Sequence, residues 1–175
     1  LKTPRDKIVL KDCIPKWCNI QSDPFKIFLN KVNTSIINPN SPKSVKDFGF
    51  SILTHDYKFD FGGGGCHGCC KPGIYESNDE YVIVDYDIGS LYPSIAKSLG
   101  LYPEHLGPTF LKLYEKFIND RLTEKHKPKN GRNQTLIEAY KLILNGAYGQ
   151  SKDESSFLYD PLYTFRTTIA GQCFI

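Results

Sequence analysis

Asp85 and Asp87 stand two residues apart at the end of the run Tyr81-Val82-Ile83-Val84, with Gly89 just beyond them. The run reads as a strand apolar enough to be buried on both faces. Carboxylates at i and i+2 of a strand point to the same side. Beside a turn that leaves backbone N–H groups free, such a pair can hold a hard divalent cation together with an anionic ligand. An aspartate ending a strand can equally cap the next turn, and the segment by itself leaves both readings open.

A second constellation lies further along the chain. Lys141, Asn145 and Tyr148 fall at i, i+4 and i+7, within roughly 60° of one another on a helix that turns about 100° per residue. Leu136, Tyr140, Ile143, Leu144 and Ala147 gather roughly 130° away as the packing face. The helix thus presents a cation, an amide and an aromatic ring along one stripe, or else that stripe is simply solvated. Upstream of it Arg121, Lys125, Lys127, Lys129 and Arg132 concentrate positive charge. Arg121 and Lys125 are one helical turn apart and can reach a single phosphate chain. For Lys127, Lys129 and Arg132 a solubilising helix tip is the competing reading.

The run Gly62 to Gly65 is the third feature. Gly63-x-Gly65-x-x-Gly68 has the form of a dinucleotide fingerprint, but that motif must open a helix, and Lys71-Pro72-Gly73 denies it one. No Gly-Lys-Ser/Thr is present to make a P-loop. Cys66, His67, Cys69 and Cys70 next to the run invite a zinc reading. Adjacent cysteines ligate one ion poorly, and a second pair would have to come from distant Cys13 and Cys18; zinc is not the expectation. Without a signal segment, the six cysteines read as reduced, intracellular thiols.

These groups must be positioned by a chain of 175 residues, the length of one domain or of a slice through a larger one. Hydrophobic residues at 40% and charged ones at 23% support a core. The balance of 22 Lys and Arg against 19 Asp and Glu leaves +3, so charge distribution rather than net charge bears on nucleic acid. No apolar run approaches the roughly twenty residues of a membrane span. Met is absent, so Leu1 is expected to follow a cut from something longer.

Residues 1–20 read as an irregular or extended lead-in. Asp23-Pro24 opens a helix, carboxylate cap then Pro, with Phe25, Phe28, Leu29, Val32 and Ile36 on one face. Residues 38–47 read as a loop. Phe48, Phe50, Ile52, Tyr57, Phe59 and Phe61 alternate like a hairpin around His55-Asp56. After the 81–87 strand, Pro93 opens a short helix that Gly100 closes, and Pro108 opens a longer one carrying Phe110, Tyr114, Phe117, Ile118 and Leu122. The basic loop 126–133, a helix over 135–147, an extended piece and a final helix ending near Gln172 complete an α+β chain.

Two of these stretches carry a family resemblance. Asp87-Ile88-Gly89-Ser90-Leu91-Tyr92-Pro93-Ser94 resembles motif A of the family B DNA polymerases, Asp-x-x-Ser-Leu-Tyr-Pro-Ser, with all six specified positions of eight present. Lys141-x-x-x-Asn145-x-x-Tyr148-Gly149 resembles motif B and lies downstream, in the family's order. Gly64-Gly65-Cys66-His67-Gly68 is similar to the Gly-Gly-x-His element that phage and organellar or plasmid-type members carry ahead of motif A. Glycine suits such an element because a chain without Cβ lets phosphate come close.

The resemblance spans about residues 61–172, and it implies an architecture, a reaction and roles for individual residues. By it, residues 1–60 precede the palm, 61–107 are palm with motif A, 108–150 a fingers helical hairpin with motif B, and 151–175 a return to the palm. The implied reaction is template-directed transfer from a dNTP to a primer 3′-hydroxyl using two Mg²⁺ ions. Asp87 and the Ile88 carbonyl would bind metal; Asp87 and Lys141 would be the catalytic pair, Lys141 also protonating the pyrophosphate. The same resemblance gives Ser90, Leu91, Tyr92, Arg121, Lys125, Lys141 and Asn145 to the dNTP, Tyr92 as the gate against a 2′-hydroxyl. It gives Gly64, Gly65, His67, Tyr148 and Gly149 to primer-template DNA. His105 falls in a family stretch after motif A and is expected to be structural.

The parent is expected to be a monomer of phage or mobile-element type, working in the cytoplasm of a bacterial host without a membrane. Motif C with the second catalytic carboxylate, the exonuclease and the thumb lie outside these residues, so the chain alone is expected not to polymerise. Too little chain separates motifs A and B for the extra domain of protein-primed enzymes, which disfavours priming from a protein. A reverse transcriptase or RNA polymerase would share a palm aspartate but not this motif pair. A truncated palm that binds nucleic acid without catalysis, and a metal-dependent sugar transferase using Asp85-x-Asp87, are the rival readings.

Overall fold

A computed structural model describes residues 1–174. The fold is α+β, with six α-helices and two small antiparallel sheets among the described residues. The lead-in is not a loose segment. Strand β1 (Ile8–Val9) pairs antiparallel with β2 (Ile36–Ile37), and a 3₁₀ turn at Leu10–Cys13 buries Leu10 and Cys13. Helix α1 (Asp23–Thr34) begins one residue earlier than its capping pattern suggests. Ser22 occupies the N-cap without a side-chain bond, and Asp23 instead pairs with Lys26 at 2.6 Å. Its inner face is Phe28 and Val32; Ile36 has left the helix and is exposed on β2. Within the expected loop 38–47 lies a short helix α2 (Pro42–Asp47), started by Pro42 and capped by the Ser41 hydroxyl, which accepts from the Ser44 amide.

Strands β3 (Phe50–Leu53), β4 (Tyr57–Gly62) and β5 (Gly65–Cys70) form a meander. Phe50 faces Phe61 and Ile52 faces Phe59 in the first hairpin, as the alternation requires. The glycine run closes a second hairpin rather than merely ending the first. Gly62 pairs with Gly65, and Gly63-Gly64 is the two-residue turn between them. Residue types give no sign of β5, because Gly-Cys-His-Gly-Cys-Cys lacks the branched and aromatic side chains that mark strands. Its ladder to β4 supplies what propensity does not.

Residues 71–90 are irregular, which corrects the expected strand over 81–87. Val82 is 77% exposed and Tyr86 87%. A strand needs a neighbour for its N–H and C=O groups, and no strand among the described residues runs beside this one. The local bonds are those of turns: the Asn78 side chain accepts from the amides of Glu80 and Tyr81, and Ser77 from that of Ile83.

Helix α3 (Leu91–Leu99) ends at Gly100 in the left-handed conformation, φ 63°. Helix α4 (Pro108–His126) and helix α5 (Gln134–Ser151) make the helical hairpin. Asn133 caps α5 by accepting from the Leu136 amide. The α5 packing face is Ile137, Leu144 and Ala147; Leu136 and Ile143 lie further round and are part-exposed, a shift of the expected stripe. Helix α6 (Pro161–Gln172) is capped by Asp160 and buried along almost its whole length.

Two cores result. One joins Ile8, Leu10, Phe28, Val32, Ile52 and Phe61 to Phe165 and Ile169 of α6, so the two ends of the chain share it. Each such side chain, fully buried, contributes about 1.5–3 kcal/mol. The other packs Ala96 of α3, Tyr114 and Ile118 of α4, and Leu144 and Ala147 of α5 around Tyr163 of α6. Helix α6 belongs to both and thereby fixes the helical hairpin relative to the meander. Among the described residues, no helix is long and apolar enough to cross a membrane.

Candidate functional site

The glycine turn, α3, α5 and α6 meet at Tyr92. Its hydroxyl donates to the Gly64 carbonyl at 2.8 Å, and its ring lies against that of Tyr148, centroids 4.4 Å apart. Tyr148 in turn shares a 2.7 Å hydrogen bond with the Thr168 hydroxyl. Glycine faces Tyr92 at its hydroxyl and along one side of its ring. A Cβ on Gly65 would stand 3.0 Å from the Tyr92 hydroxyl, and one on Gly171 would stand 3.0 Å from its ring. Gly65 also has φ +150°, a conformation that L side chains rarely adopt. Burial, with Tyr148 beside it, pushes the Tyr92 phenol up to about 12.

Near this cluster the start of α3 carries a cation. Ser90 sits at its N-cap in the left-handed region, φ 56° and ψ 49°, the only non-glycine residue with positive φ among those described. The Arg121 guanidinium, from α4, donates through Nη1 to the Ser90 hydroxyl at 2.7 Å. Its Nε is buried without a partner. A helix start with free amides, a strained turn and an incompletely bonded guanidinium together can receive an anion.

The other expected site residues are spread more widely. Leu91 is part-buried on α3. Lys141 and Asn145 are exposed on α5, Lys141 within 3.9 Å of Glu138. Gly149 comes directly after Tyr148 on the same helix, part-buried. Lys125 is exposed one turn beyond Arg121. At the hairpin tip Lys127 pairs with Glu124 at 2.6 Å, and Arg132 donates to the Lys127 carbonyl. These two cations are therefore engaged in holding the tip together. His105 bridges Thr3 and the Phe157 carbonyl, a structural role as expected.

Asp85, Asp87 and Ile88 lie in the exposed irregular segment. The two carboxylates consequently do not share a strand face, which corrects that expectation: without a strand there is no period of two to align them. His67 stands on β5 opposite Asp60, two residues beyond the Gly65 end of the turn. Cys69 and Cys70 are exposed further along β5. Among the described residues, no three His, Cys, Asp or Glu side chains come together as a metal-holding group. Asp87 and the Ile88 carbonyl nonetheless offer hard oxygen donors of the kind Mg²⁺ takes, an ion that keeps several waters and accepts phosphate oxygens for the rest.

Three residues of the cluster go unnoticed in the sequence: Thr168, Gly171 and Gln172. Their signal is weak: a pair of polar side chains at i and i+4 with a glycine beside the second, on a helix that also carries Thr164, Arg166 and Thr167. Gln172 is 2% exposed, and its amide nitrogen donates to the carbonyls of both Gly62 and Gly65 at 2.7 Å. Compared with protein-family models, with curated proteins and with solved structures, the chain finds no match.

Proposed function

We propose that this chain is the palm-and-fingers portion of a family B DNA polymerase, serving template-directed addition of deoxynucleotides to a primer 3′-hydroxyl. The observation that supports this most is the meeting of Gly64, Tyr92 and Tyr148. Each comes from a different sequence motif, and the motifs are recognisable independently of one another. Their meeting at one ring is what a shared site would require of them.

In this reading the helical hairpin α4–α5 is the fingers, and Arg121 with Lys125 grips the triphosphate. Ser90, Leu91 and the α3 amides face the same phosphates. Lys141 and Asn145, exposed on the neighbouring helix, complete the nucleotide side, and Lys141 protonates the departing pyrophosphate. Tyr92 lies under the sugar and excludes a 2′-hydroxyl. Tyr148 and Gly149 border the nascent base pair, and Gly64, Gly65 and His67 line the path of the template. Asp87 and the Ile88 carbonyl would hold Mg²⁺, which gathers phosphate oxygens and lowers the charge on the attacked phosphorus. The partners are dNTP and primer-template DNA, met as a monomer in the cytoplasm of a bacterium hosting a phage or mobile element.

The test is binding of dNTP to this chain with and without Mg²⁺, on primer-template DNA. Affinity that rises with Mg²⁺, falls in Asp87→Ala and falls at least about tenfold in Arg121→Ala, the loss of one charge-assisted contact, supports the reading. Salt-sensitive DNA binding with no metal-dependent dNTP affinity would favour the non-catalytic palm. A nucleotide-sugar preferred over dNTP would favour the Asp85-x-Asp87 transferase.

A further inference from the structure

Three of the four carbonyls of the glycine turn accept short side-chain hydrogen bonds, and a further side-chain hydroxyl stands at the limit of reach of the last. Gln172 takes those of Gly62 and Gly65 at 2.7 Å each. Thr168, one helical turn earlier on α6, takes that of Gly63 at 3.5 Å. The remaining carbonyl, that of Gly64, accepts from the Tyr92 hydroxyl. A two-residue glycine turn is intrinsically soft backbone, because glycine restricts φ and ψ least. Here Gln172 spans it from one end to the other and removes that freedom. The Tyr92 hydroxyl is then hung from a held carbonyl, while a Cβ on Gly65 or Gly171 would come within 3.0 Å of its hydroxyl or its ring.

We infer that Gln172 is a positioning residue for sugar selection: by fixing the glycine turn it sets where Tyr92 stands, and so how strictly a 2′-hydroxyl is refused. The inference rests on the reading of Tyr92 as the gate. A gate that distinguishes one hydroxyl by contact works only when held to about 0.5 Å. Tyr92 is held by a bond at its tip and by the Tyr148 ring and Gly171 beside its own, and the bond is only as firm as the turn that accepts it. Gln172 is buried and its amide is directed at the turn, so it acts through Tyr92 and does not touch the nucleotide itself.

Two variants separate this role from plain stability. Gln172→Met keeps the length of the side chain and removes both donors; Gly65→Ala leaves Gln172 in place and pushes on the Tyr92 hydroxyl directly. The chain is labelled with 3-fluorotyrosine, the Tyr92 resonance is assigned with Tyr92→Phe, and binding of Mg·dATP and Mg·ATP is measured on primer-template DNA. Both variants are expected to move the Tyr92 fluorine resonance. Both should lower the preference for dATP over ATP by about three- to tenfold, and in Gln172→Met dATP affinity itself changes less than about twofold. A purely structural role would weaken both nucleotides equally and leave the preference intact, which overturns the inference. An unmoved Tyr92 resonance in Gln172→Met overturns it at the first step. If the wild-type chain binds neither nucleotide, the nucleotide reading of the site has failed, and the inference falls with it.

Discussion

The rings of Tyr92 and Tyr148 lie 4.4 Å apart, centroid to centroid, with their planes inclined by 57°. Helices α3 and α5 therefore meet through an aromatic pair whose partners are separately anchored, Tyr92 to the Gly64 carbonyl and Tyr148 to Thr168. Pairs of this geometry are worth about 0.5–1.5 kcal/mol beyond the area they bury. A double-mutant cycle of Tyr92→Leu and Tyr148→Leu is expected to return a coupling in that range. Urea unfolding monitored by the fluorescence of Trp17, the single tryptophan, measures it. Additive losses would mean that the rings touch without depending on one another.

Ser90 holds a left-handed backbone that costs a non-glycine residue roughly 1–2 kcal/mol, and its hydroxyl is the acceptor for Arg121. Conformation and contact therefore oppose each other in one residue. In an Arg121→Ala background, where the contact is already gone, Ser90→Gly is expected to raise stability by about 1 kcal/mol. In the wild-type background the same change also loses the guanidinium bond and should bring no gain. Unfolding midpoints of the four proteins decide it; a gain of equal size in both backgrounds would show that the contact contributes nothing.

How far the site could be read from residues alone depends on which interactions are local. Helices α3, α4 and α5 were legible because Pro93, Pro108 and Gly100 punctuate them and their apolar residues recur at helical spacing. Gly64, Tyr92 and Tyr148 were legible as motifs. Thr168 and Gln172 were not, because their bonds reach backbone carbonyls more than a hundred residues away, and a carbonyl carries no sequence identity. The strand expected over 81–87 failed for a related reason. Valine and isoleucine favour a strand, but a strand exists only with a hydrogen-bonding neighbour. Cysteine- and glycine-rich β5 shows the converse, being a strand on the strength of its neighbour β4 alone.

Glu124 gives the hairpin tip an acid limit. Its carboxylate accepts from the Lys127 ammonium and from the Asn133 amide, and these bonds, the Lys127 one foremost, hold its pKa below the ordinary 4.5. A carboxyl lowered in the folded state adds stability that is present above its ordinary value and is lost as pH falls through the lowered one. The link between α4 and the N-cap of α5 is therefore expected to loosen below about pH 4.5. Hydrogen exchange at the Asn133 amide should accelerate there in the wild type. In Glu124→Gln, which cannot titrate, exchange after correction for the intrinsic pH effect should be flat across the same window. A wild-type profile equally flat would contradict the linkage.

Asp160 does two jobs from one buried carboxylate. One oxygen accepts from the Leu162 and Tyr163 amides and starts α6; the other accepts from the Glu104 amide and ties α6 to the turn after α3. Arg5 stands 3.8 Å away as the nearby cation. An N-cap alone is worth about 0.5–2 kcal/mol, and leaving buried amides without an acceptor costs about 1–3 kcal/mol more. Asp160→Ala is accordingly expected to destabilise the chain by at least about 2 kcal/mol. Asp160→Asn keeps an acceptor for the cap but must set its NH₂ group against the Glu104 amide or against the cap, and so should recover only part of the loss. Because α6 carries Thr168 and Gln172 to the glycine turn, the Tyr92 fluorine resonance should move in Asp160→Ala as well. A destabilised protein with that resonance unmoved would show that the start of α6 and its end, where the turn is held, are not one rigid piece.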